Sequence, residues 1–310
     1  MAPDPNPIQQ SLAALIQSLE SRQDDGTCAV WLTPRARKDL KALPGLNWSW
    51  DGRAKPVEAE APSTPVPGVS LEPGISPPPV AASRVREEAV AATAELDQAL
   101  CPPGETREAK LAWLREQAAN WPPARRLASL RDTMVFAVGN PHADLVLVGE
   151  APGAEEERRG EPFVGPAGET LTRILQAMGL QREQVYITNI VKFRPAKPDQ
   201  GQSNRAPTAE EMASCIAFVR AEIAVIQPKV IVALGATASK GLLGLDESLG
   251  RMRGRFWEFQ GVPVMVTYHP AYLLHQQAGK AEKRKVWEDM LLVMERLGLP
   301  ISEKQRRFFT

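Results

Sequence analysis

Residues 145–168 read LVLVGEAPGAEEERRGEPFVGPAG, a short apolar run that opens into a loop with five glycines and three prolines. An apolar run directly before turn residues predicts a buried β-strand. The loop lacks the GxxxxGK[ST] and GxGxxG arrangements, and its acidic run would repel phosphate, so a phosphate-cradling loop is disfavoured. Its glycines and prolines could simply shape a tight turn. Phe163, however, stands between two rigid turns, where it could be exposed to a planar ligand.

From Met134 onward, β-branched runs alternate with helical segments. The four predicted strands lie in DLVLVGE, QVYITNIVK, KVIVALG and VPVMVTYHP. This alternation predicts an α/β fold with a parallel sheet covered by helices on both faces. Ligands bind such sheets at the carboxyl ends of the strands. GEAPG follows the first strand, Asn189 ends the second, GATAS follows the third and His269 follows the fourth, so we expect the functional site at this edge.

The composition separates this domain from an N-terminal region. Residues 56–83 are rich in Pro, Ala, Gly and Ser and nearly free of large apolar residues, which predicts a disordered linker. This linker is predicted to divide a small helical docking module, residues 1–55, from a main domain at 105–310. With 37 basic and 37 acidic residues, the chain carries no net charge that would favour a polyanionic partner. Without a membrane span or signal-peptide pattern, and with only three scattered cysteines, we expect a bacterial cytoplasmic protein.

Five segments in order resemble the family 4 type of the uracil-DNA glycosylase superfamily. They are GEAPGAEEERRGEPFVGPAGETLTRIL, VYITNIVKFRP with a following NRAP, IVALGATAS, RMRGRF and YHPAYLL, and they span most of residues 134–298. The resemblance implies a three-layer α/β/α fold with a four-stranded parallel sheet. It also implies the flipping of uracil out of DNA and the hydrolysis of its N-glycosidic bond.

The resemblance assigns uracil recognition to three positions. Phe163 would stack on the flipped base, Ala151 would line its pocket, and the Asn189 amide would read the edge that distinguishes uracil from cytosine. Asn189 could also simply end its strand. His269 would donate to the uracil O2 as negative charge builds there.

The carboxylate that stabilises the sugar and orients water is assigned to Glu150 or Glu156, and the sequence leaves this choice open. Glu155 and Glu157 are expected on a solvated face. Ala151 stands where the family 1 type carries a water-activating aspartate. The chain therefore needs a glutamate for this role, or it is a slower enzyme.

Local charge predicts the DNA-binding surface. Residues 251–310 contain eleven Lys and Arg against six Asp and Glu. Arg251, Arg253 and Arg255 are predicted to contact phosphates, although a solvated loop is the alternative. Tyr272 and Leu273 are expected to form a wedge that enters the duplex, and Leu274 could pack in the core.

One departure from the family concerns its iron–sulfur cluster, which four cysteines hold. Three of those positions are Pro122, Arg125 and Phe193 here, and only Cys215 remains. The sequence therefore predicts no cluster, no other metal and no cofactor.

The leading hypothesis is a monomeric, monofunctional uracil-DNA glycosylase of base-excision repair, with a possible protein partner for residues 1–55. The alternatives are an inactive protein that binds uracil or abasic sites, and a glycosylase that accepts other deaminated bases.

Overall fold

The computed structural model describes residues 100–274 and 279–309. The predicted docking module at 1–55 and the linker at 56–83 lie outside the described residues. Both therefore stay predictions, as does the boundary of the catalytic domain.

The described residues form alternating helices and strands. The helices are α1 (Arg107–Ala119), α2 (Pro122–Arg125), α3 (Ala154–Arg159), α4 (Pro166–Ala177), α5 (Ala209–Ile226), α6 (Ala236–Leu243), α7 (Leu249–Met252), α8 (Lys280–Leu297) and α9 (Glu303–Arg306). The strands are β1 (Leu130–Met134), β2 (Ala137–Gly139), β3 (Leu145–Gly149), β4 (Tyr186–Asn189), β5 (Phe193–Pro195), β6 (Val230–Leu234), β7 (Phe256–Phe259) and β8 (Val262–Thr267). Short 3₁₀ helices cover Arg182–Gln184 and Pro270–Leu274.

The main sheet has the strand order β2-β4-β3-β6-β8-β7. The four central strands run parallel, which confirms the predicted parallel core. Both edge strands, β2 and β7, are antiparallel additions that make the sheet mixed. Strand β7 joins β8 through Gln260 and Gly261, whose φ angles of 51° and 79° fit a tight hairpin turn. Strands β1 and β5 pair separately.

Two apolar cores lie on opposite faces of this sheet, because successive side chains of a strand point to opposite sides. Val146 and Val148 of β3 face a core formed with helices α1, α5 and α6, which we call the α5 core. Leu145 and Leu147 face a core formed with helices α4 and α8, the α8 core. Helices on both faces make the fold a three-layer α/β/α sandwich.

A charged pair is enclosed beside the α5 core. Lys192 donates from Nζ to Glu222 Oε1 at 2.5 Å and to Thr188 Oγ1 at 2.6 Å, and the Lys192 and Glu222 side chains are fully buried. The Lys192 ammonium also lies 4.9 Å from the centre of the Phe136 ring. The fold thus depends on a compensated charge at the end of β4. Among the described helices, none has the length and apolarity needed to cross a bilayer.

Candidate active site

The predicted site residues meet at the carboxyl edge of the sheet. Gly149, at the end of β3, pairs directly with Asn189, at the end of β4. Gly235, after β6, donates its N–H to the carbonyl of Thr267 at the end of β8. The loops that follow enclose a cavity of about 250 Å³. Its lining includes every predicted catalytic and uracil-binding residue: Glu150, Ala151, Glu156, Phe163, Asn189 and His269.

The loop after β3 is built around the Glu156 carboxylate. Glu156 Oε2 accepts from the N–H of Gly153, and Oε1 accepts from the N–H groups of Val164 and Gly165 at 3.0 and 2.8 Å. One side chain therefore joins the start of helix α3 to the turn that carries Phe163. The acidic residue stabilises the loop because it pairs backbone donors that would otherwise lack partners.

Phe163 occupies an unusual backbone conformation that a neighbouring glycine permits. Its φ is 55°, in the left-handed region. A Cβ on Gly168 would lie 1.8 Å from the Phe163 carbonyl oxygen, so only glycine allows helix α4 to approach this turn. The Phe163 ring is buried, and it stacks on the His269 ring with 5.6 Å between centroids. Phe163 was expected to be exposed, but it is 5% exposed and belongs to the α8 core. It nevertheless lines the cavity.

Asn189 has a buried acceptor without a partner. The side chain is 2% exposed, and no group in the described part of the chain donates to its Oδ1. Leaving a buried acceptor unpaired costs about 1–3 kcal/mol. A native protein can tolerate an unpaired buried acceptor at a site where a ligand supplies the missing donor. Asn189 also lines the cavity, so its unpaired amide oxygen is a candidate acceptor for a ligand N–H.

His269 is held as a neutral hydrogen-bond donor. Burial lowers the pKa of its imidazole to about 4, although the Glu156 charge raises that pKa in part. Its Nδ1 lies 3.2 Å from the N–H of Ala271. In the neutral ring Nδ1 is then the acceptor, so Nε2 carries the proton. The imidazole is therefore a donor through Nε2 at neutral pH.

Glu150 differs from Glu156 in its surroundings. Burial raises the pKa of the Glu150 carboxyl, and a hydrogen bond with the Thr237 side chain lowers it in part. Glu156 instead accepts three backbone N–H bonds. The sequence did not single out Thr237, because it lies in helix α6, far along the chain from Glu150.

Glu157 does not lie on a solvated face as predicted. Its side chain is 13% exposed, and it accepts from Arg131 Nε at 2.7 Å and from Arg194 Nη1 at 3.0 Å. Glu155 does pair with a neighbour on its own helix surface, Arg158. The prediction was wrong for Glu157 because its two cationic partners come from strands β1 and β5.

Asn204 and Arg205 also line the cavity, and sequence reasoning gave neither a role. Both belong to the NRAP segment, whose presence was the only signal. Asn204 is exposed at the cavity rim. Arg205 is held in place by the Glu211 carboxylate and by the carbonyls of Ser129 and Ala196.

The three predicted DNA-binding arginines lie outside the cavity lining and differ in their contacts. Arg251 and Arg255 are exposed, and the Arg255 guanidinium lies 4.2 Å from the centre of the Trp257 ring. Arg253 donates to both oxygens of buried Asp289, at 3.1 and 3.0 Å, and to the Lys285 carbonyl. Asp289 also accepts from Thr267 Oγ1 at 2.7 Å. Arg253 thus ties its loop to helix α8 and to the strand that ends before His269.

The predicted wedge residues are arranged differently from one another. Tyr272 is 41% exposed and stacks on Tyr268 at 5.1 Å between centroids. Leu273 packs against the α8 core, whereas Leu274, for which core packing was the alternative, is 46% exposed. Tyr272 and Leu274 are therefore the apolar side chains that this turn presents to solvent.

The four positions that correspond to cluster ligands do not supply a suitable set of donor atoms. Arg125, on α2, places its guanidinium 4.7 Å from the centre of the Phe193 ring. Cys215 is a free, fully buried thiol whose pKa burial raises. Within residues 100–274 and 279–309, no three His, Cys, Asp or Glu side chains are grouped to hold a metal ion. One thiol, with Pro122, Arg125 and Phe193 at the other three positions, does not fit a four-thiolate cluster.

Comparison with known proteins agrees with this geometry. The family model of the uracil DNA glycosylase superfamily matches residues 136–291. A type-4 uracil-DNA glycosylase of Thermotoga maritima is 44% identical over 162 residues, which are 52% of this chain and 81% of that protein. Those of Archaeoglobus fulgidus and Pyrobaculum aerophilum are 40% and 38% identical, over 76% and 82% of their own lengths. The chain belongs to the uracil DNA glycosylase superfamily.

Proposed function

We propose that this protein is a uracil-DNA glycosylase that hydrolyses the N-glycosidic bond of deoxyuridine and leaves an abasic site. The observation that carries the proposal is Asn189, which lines the cavity and whose amide Oδ1 has no partner among the described residues. Uracil has an N3–H donor beside its O4 acceptor, and a side-chain amide matches this pair. Cytosine has an acceptor at N3 and would leave the Asn189 oxygen unpaired, which disfavours it.

Base recognition requires the nucleotide to leave the helix, because the edge that Asn189 reads is paired inside a duplex. We assign the stacking surface to Phe163, whose ring forms one wall of the cavity. The stack of Phe163 on His269 supports a rigid, preformed wall. Ala151 lines the same cavity with a small side chain, which leaves room for the base.

His269 stabilises the departing base. As the glycosidic bond breaks, negative charge builds on the uracil O2, and a donor aimed at it lowers the barrier. The lowered pKa of His269 keeps its imidazole neutral at the working pH. The step therefore uses a hydrogen bond from Nε2 and no proton transfer from an imidazolium.

Glu150 is the carboxylate that we assign to the attacking water. Its raised pKa and its place in the cavity fit a general base. The charge of Glu156 lies in the same cavity, where it favours the cationic sugar, but its oxygens are engaged by the loop backbone. We assign Glu156 to loop structure and to electrostatic stabilisation.

Arg251 and Arg255 are the phosphate-binding arginines in this proposal, and Tyr272 with Leu274 forms the wedge. Their exposure supports these roles. Arg253 acts through the loop that it holds, since Asp289 engages its guanidinium. Leu273 supports the turn from the α8 core.

We propose that the enzyme works without an iron–sulfur cluster. The contact between Arg125 and Phe193 and the edge-to-face packing of Trp121 on Phe218, at 4.9 Å, hold the region that a cluster would hold. Trp121 also donates from Nε1 to the Ser214 carbonyl at 2.6 Å. Stoichiometric iron and acid-labile sulfide in the purified protein would overturn this part of the proposal.

The test of function is excision from a labelled oligonucleotide that contains one uracil, single-stranded and paired with G or A. We expect abasic product from the wild type and a loss of at least about a hundredfold in Asn189→Ala, because the variant loses both base-reading contacts. Asn140→Ala, at a position outside the cavity, is the matched control and should retain the wild-type rate. Binding of uracil-containing DNA without cleavage would instead favour a binding protein.

The variants Glu150→Gln and Glu156→Gln test which of the two carboxylates acts on the attacking water. The proposal expects the larger loss of excision rate in Glu150→Gln. It expects a loss of thermal stability in Glu156→Gln, because the amide replaces a charged acceptor of three N–H groups. The opposite pattern would exchange the two assignments.

A further inference from the structure

The rim of the cavity carries an amide whose orientation is fixed by a buried arginine. Arg194, on strand β5, is 3% exposed. It donates from Nε to Asn204 Oδ1 at 3.0 Å. It also donates from Nη2 to the carbonyls of Gly201 and Ser203, both at 2.9 Å, and from Nη1 to Glu157. One side chain thus anchors the loop before Asn204 and the Asn204 amide itself.

This arrangement decides which face of the amide meets the cavity. Because Oδ1 of Asn204 accepts from Arg194, rotation of the amide by half a turn would place two donors against each other. Nδ2 is therefore directed away from Arg194. Gly153 lines the cavity. A Cβ added to Gly153 would lie 2.9 Å from Nδ2 of Asn204 and 2.7 Å from Oε2 of Glu156, so both groups lie close to this glycine. The amide nitrogen of Asn204 consequently lies at the rim, beside Gly153 and the Glu156 carboxylate.

We propose that Asn204 binds a DNA phosphate that flanks the flipped nucleotide and that Arg194 is its positioning residue; this rests on the proposed function. The base of a flipped nucleotide enters the cavity while its phosphates stay at the rim, where Asn204 is exposed. Neutral amide donors are common phosphate ligands in protein–DNA complexes. A donor is needed here because the carboxylate of Glu156 would otherwise repel the phosphate.

Binding to an oligonucleotide that carries the non-hydrolysable 2′-fluoro-deoxyuridine tests the role of Asn204 separately from chemistry. Asn204→Ala should weaken binding about tenfold, as expected for one hydrogen bond to a charged acceptor. Asn204→Asp should weaken it on the order of a hundredfold, because a second negative charge faces the phosphate. Asn204→Lys should bind at least as tightly as the wild type. Equal affinities of the Asp and Lys variants would overturn the proposal.

A chemical change in the DNA tests the phosphate itself. A methylphosphonate on the 5′ or the 3′ side of the uridine removes the charge of that phosphate. At one of the two positions, the difference between wild type and Asn204→Ala should fall below about twofold. If the difference persists at both positions, the ligand of Asn204 is not a flanking phosphate.

The positioning role of Arg194 is tested by a double-mutant cycle. Arg194→Lys keeps the charge beside Glu157 and removes the Nε donor. It should weaken binding about as much as Asn204→Ala, and the double variant should bind no worse than Asn204→Ala alone. Additive losses would overturn the positioning role. Wild-type protein that neither binds nor cleaves uracil-containing DNA would refute the proposed function itself, which keeps the two failures distinguishable.

Discussion

Gly149→Ala tests the geometry of the cavity at the point where strands β3 and β4 meet. A Cβ on residue 149 would stand 2.3 Å from Asn189 Oδ1 and 2.5 and 2.6 Å from Phe163 Cζ and Cε2. These carbon contacts are about 1 Å shorter than the roughly 3.5 Å at which carbon atoms pack. Both neighbours are buried and line the cavity, so a shift of either side chain changes the cavity itself. The methyl group must therefore shift the two residues that we assign to uracil recognition.

The expected loss of rate follows from this displacement. A misplacement of about 1 Å in a catalytic site costs on the order of a hundredfold in rate. Overpacking of a well-packed site costs about 1–3 kcal/mol in the free energy of unfolding. We expect single-turnover excision of uracil to fall about a hundredfold, while thermal denaturation shows a folded protein with a melting temperature lower by some degrees.

A matched glycine variant provides the control. Gly279, before helix α8, has a φ of −73°, and its nearest contact to an added Cβ would be 3.5 Å, which is ordinary packing. Gly279→Ala should keep the wild-type excision rate. The reasoning is refuted if Gly149→Ala retains excision within about threefold of the wild type. It is also refuted if the loss of rate is explained entirely by a smaller folded fraction.

Three further predictions concern the buried charge, the pH profile and the wedge. Lys192→Met leaves Glu222 without its cation and should lower the free energy of unfolding, measured by urea denaturation, by about 3–5 kcal/mol. Adding Glu222→Leu should restore most of that stability. An unchanged urea midpoint for Lys192→Met would contradict this prediction. The excision rate should fall in acid as Glu150 takes up a proton. No inflection near the ordinary histidine pKa of 6.5 should belong to His269, because its pKa is about 4. An inflection there that His269→Ala abolishes would refute a neutral imidazole. Tyr272→Ala should lower the rate of uracil excision from duplex DNA more than the rate from single-stranded DNA, with the two substrates measured in parallel. Equal losses of rate on both substrates would exclude a wedge role.

The parallel core was predictable from sequence because its strands are buried on both faces and read as continuous apolar runs. Leu145–Gly149 and Val230–Leu234 are fully buried along their length. The edge strands were not predicted. Strand β7 is partly exposed and carries Glu258, and β2 has only three residues, so neither has the apolar pattern of a central strand.

The cavity residues that follow the predicted strands were found because the topology of a parallel sheet brings its strand ends together. What the sequence could not give was the partner of each charge. Glu157 contacts Arg194, which is 37 residues away, and Arg253 contacts Asp289, which is 36 residues away. A run of glutamates or arginines has the same appearance whether its members face solvent or a buried partner. Separating the two cases requires the tertiary structure.

The same limit explains why the choice between the two glutamates needed the structure. Glu150 and Glu156 stand six residues apart in one loop, yet their environments differ in the number of hydrogen-bond donors. Three N–H groups stabilise the charge of Glu156 and occupy its oxygens. Burial raises the pKa of Glu150, and a hydrogen bond with the Thr237 side chain lowers that pKa in part. A carboxylate that is costly to keep charged gains most from taking a proton off water, which is what a general base requires. With Ala151 unable to activate water, this difference in environment is the reason why we propose Glu150 for that step.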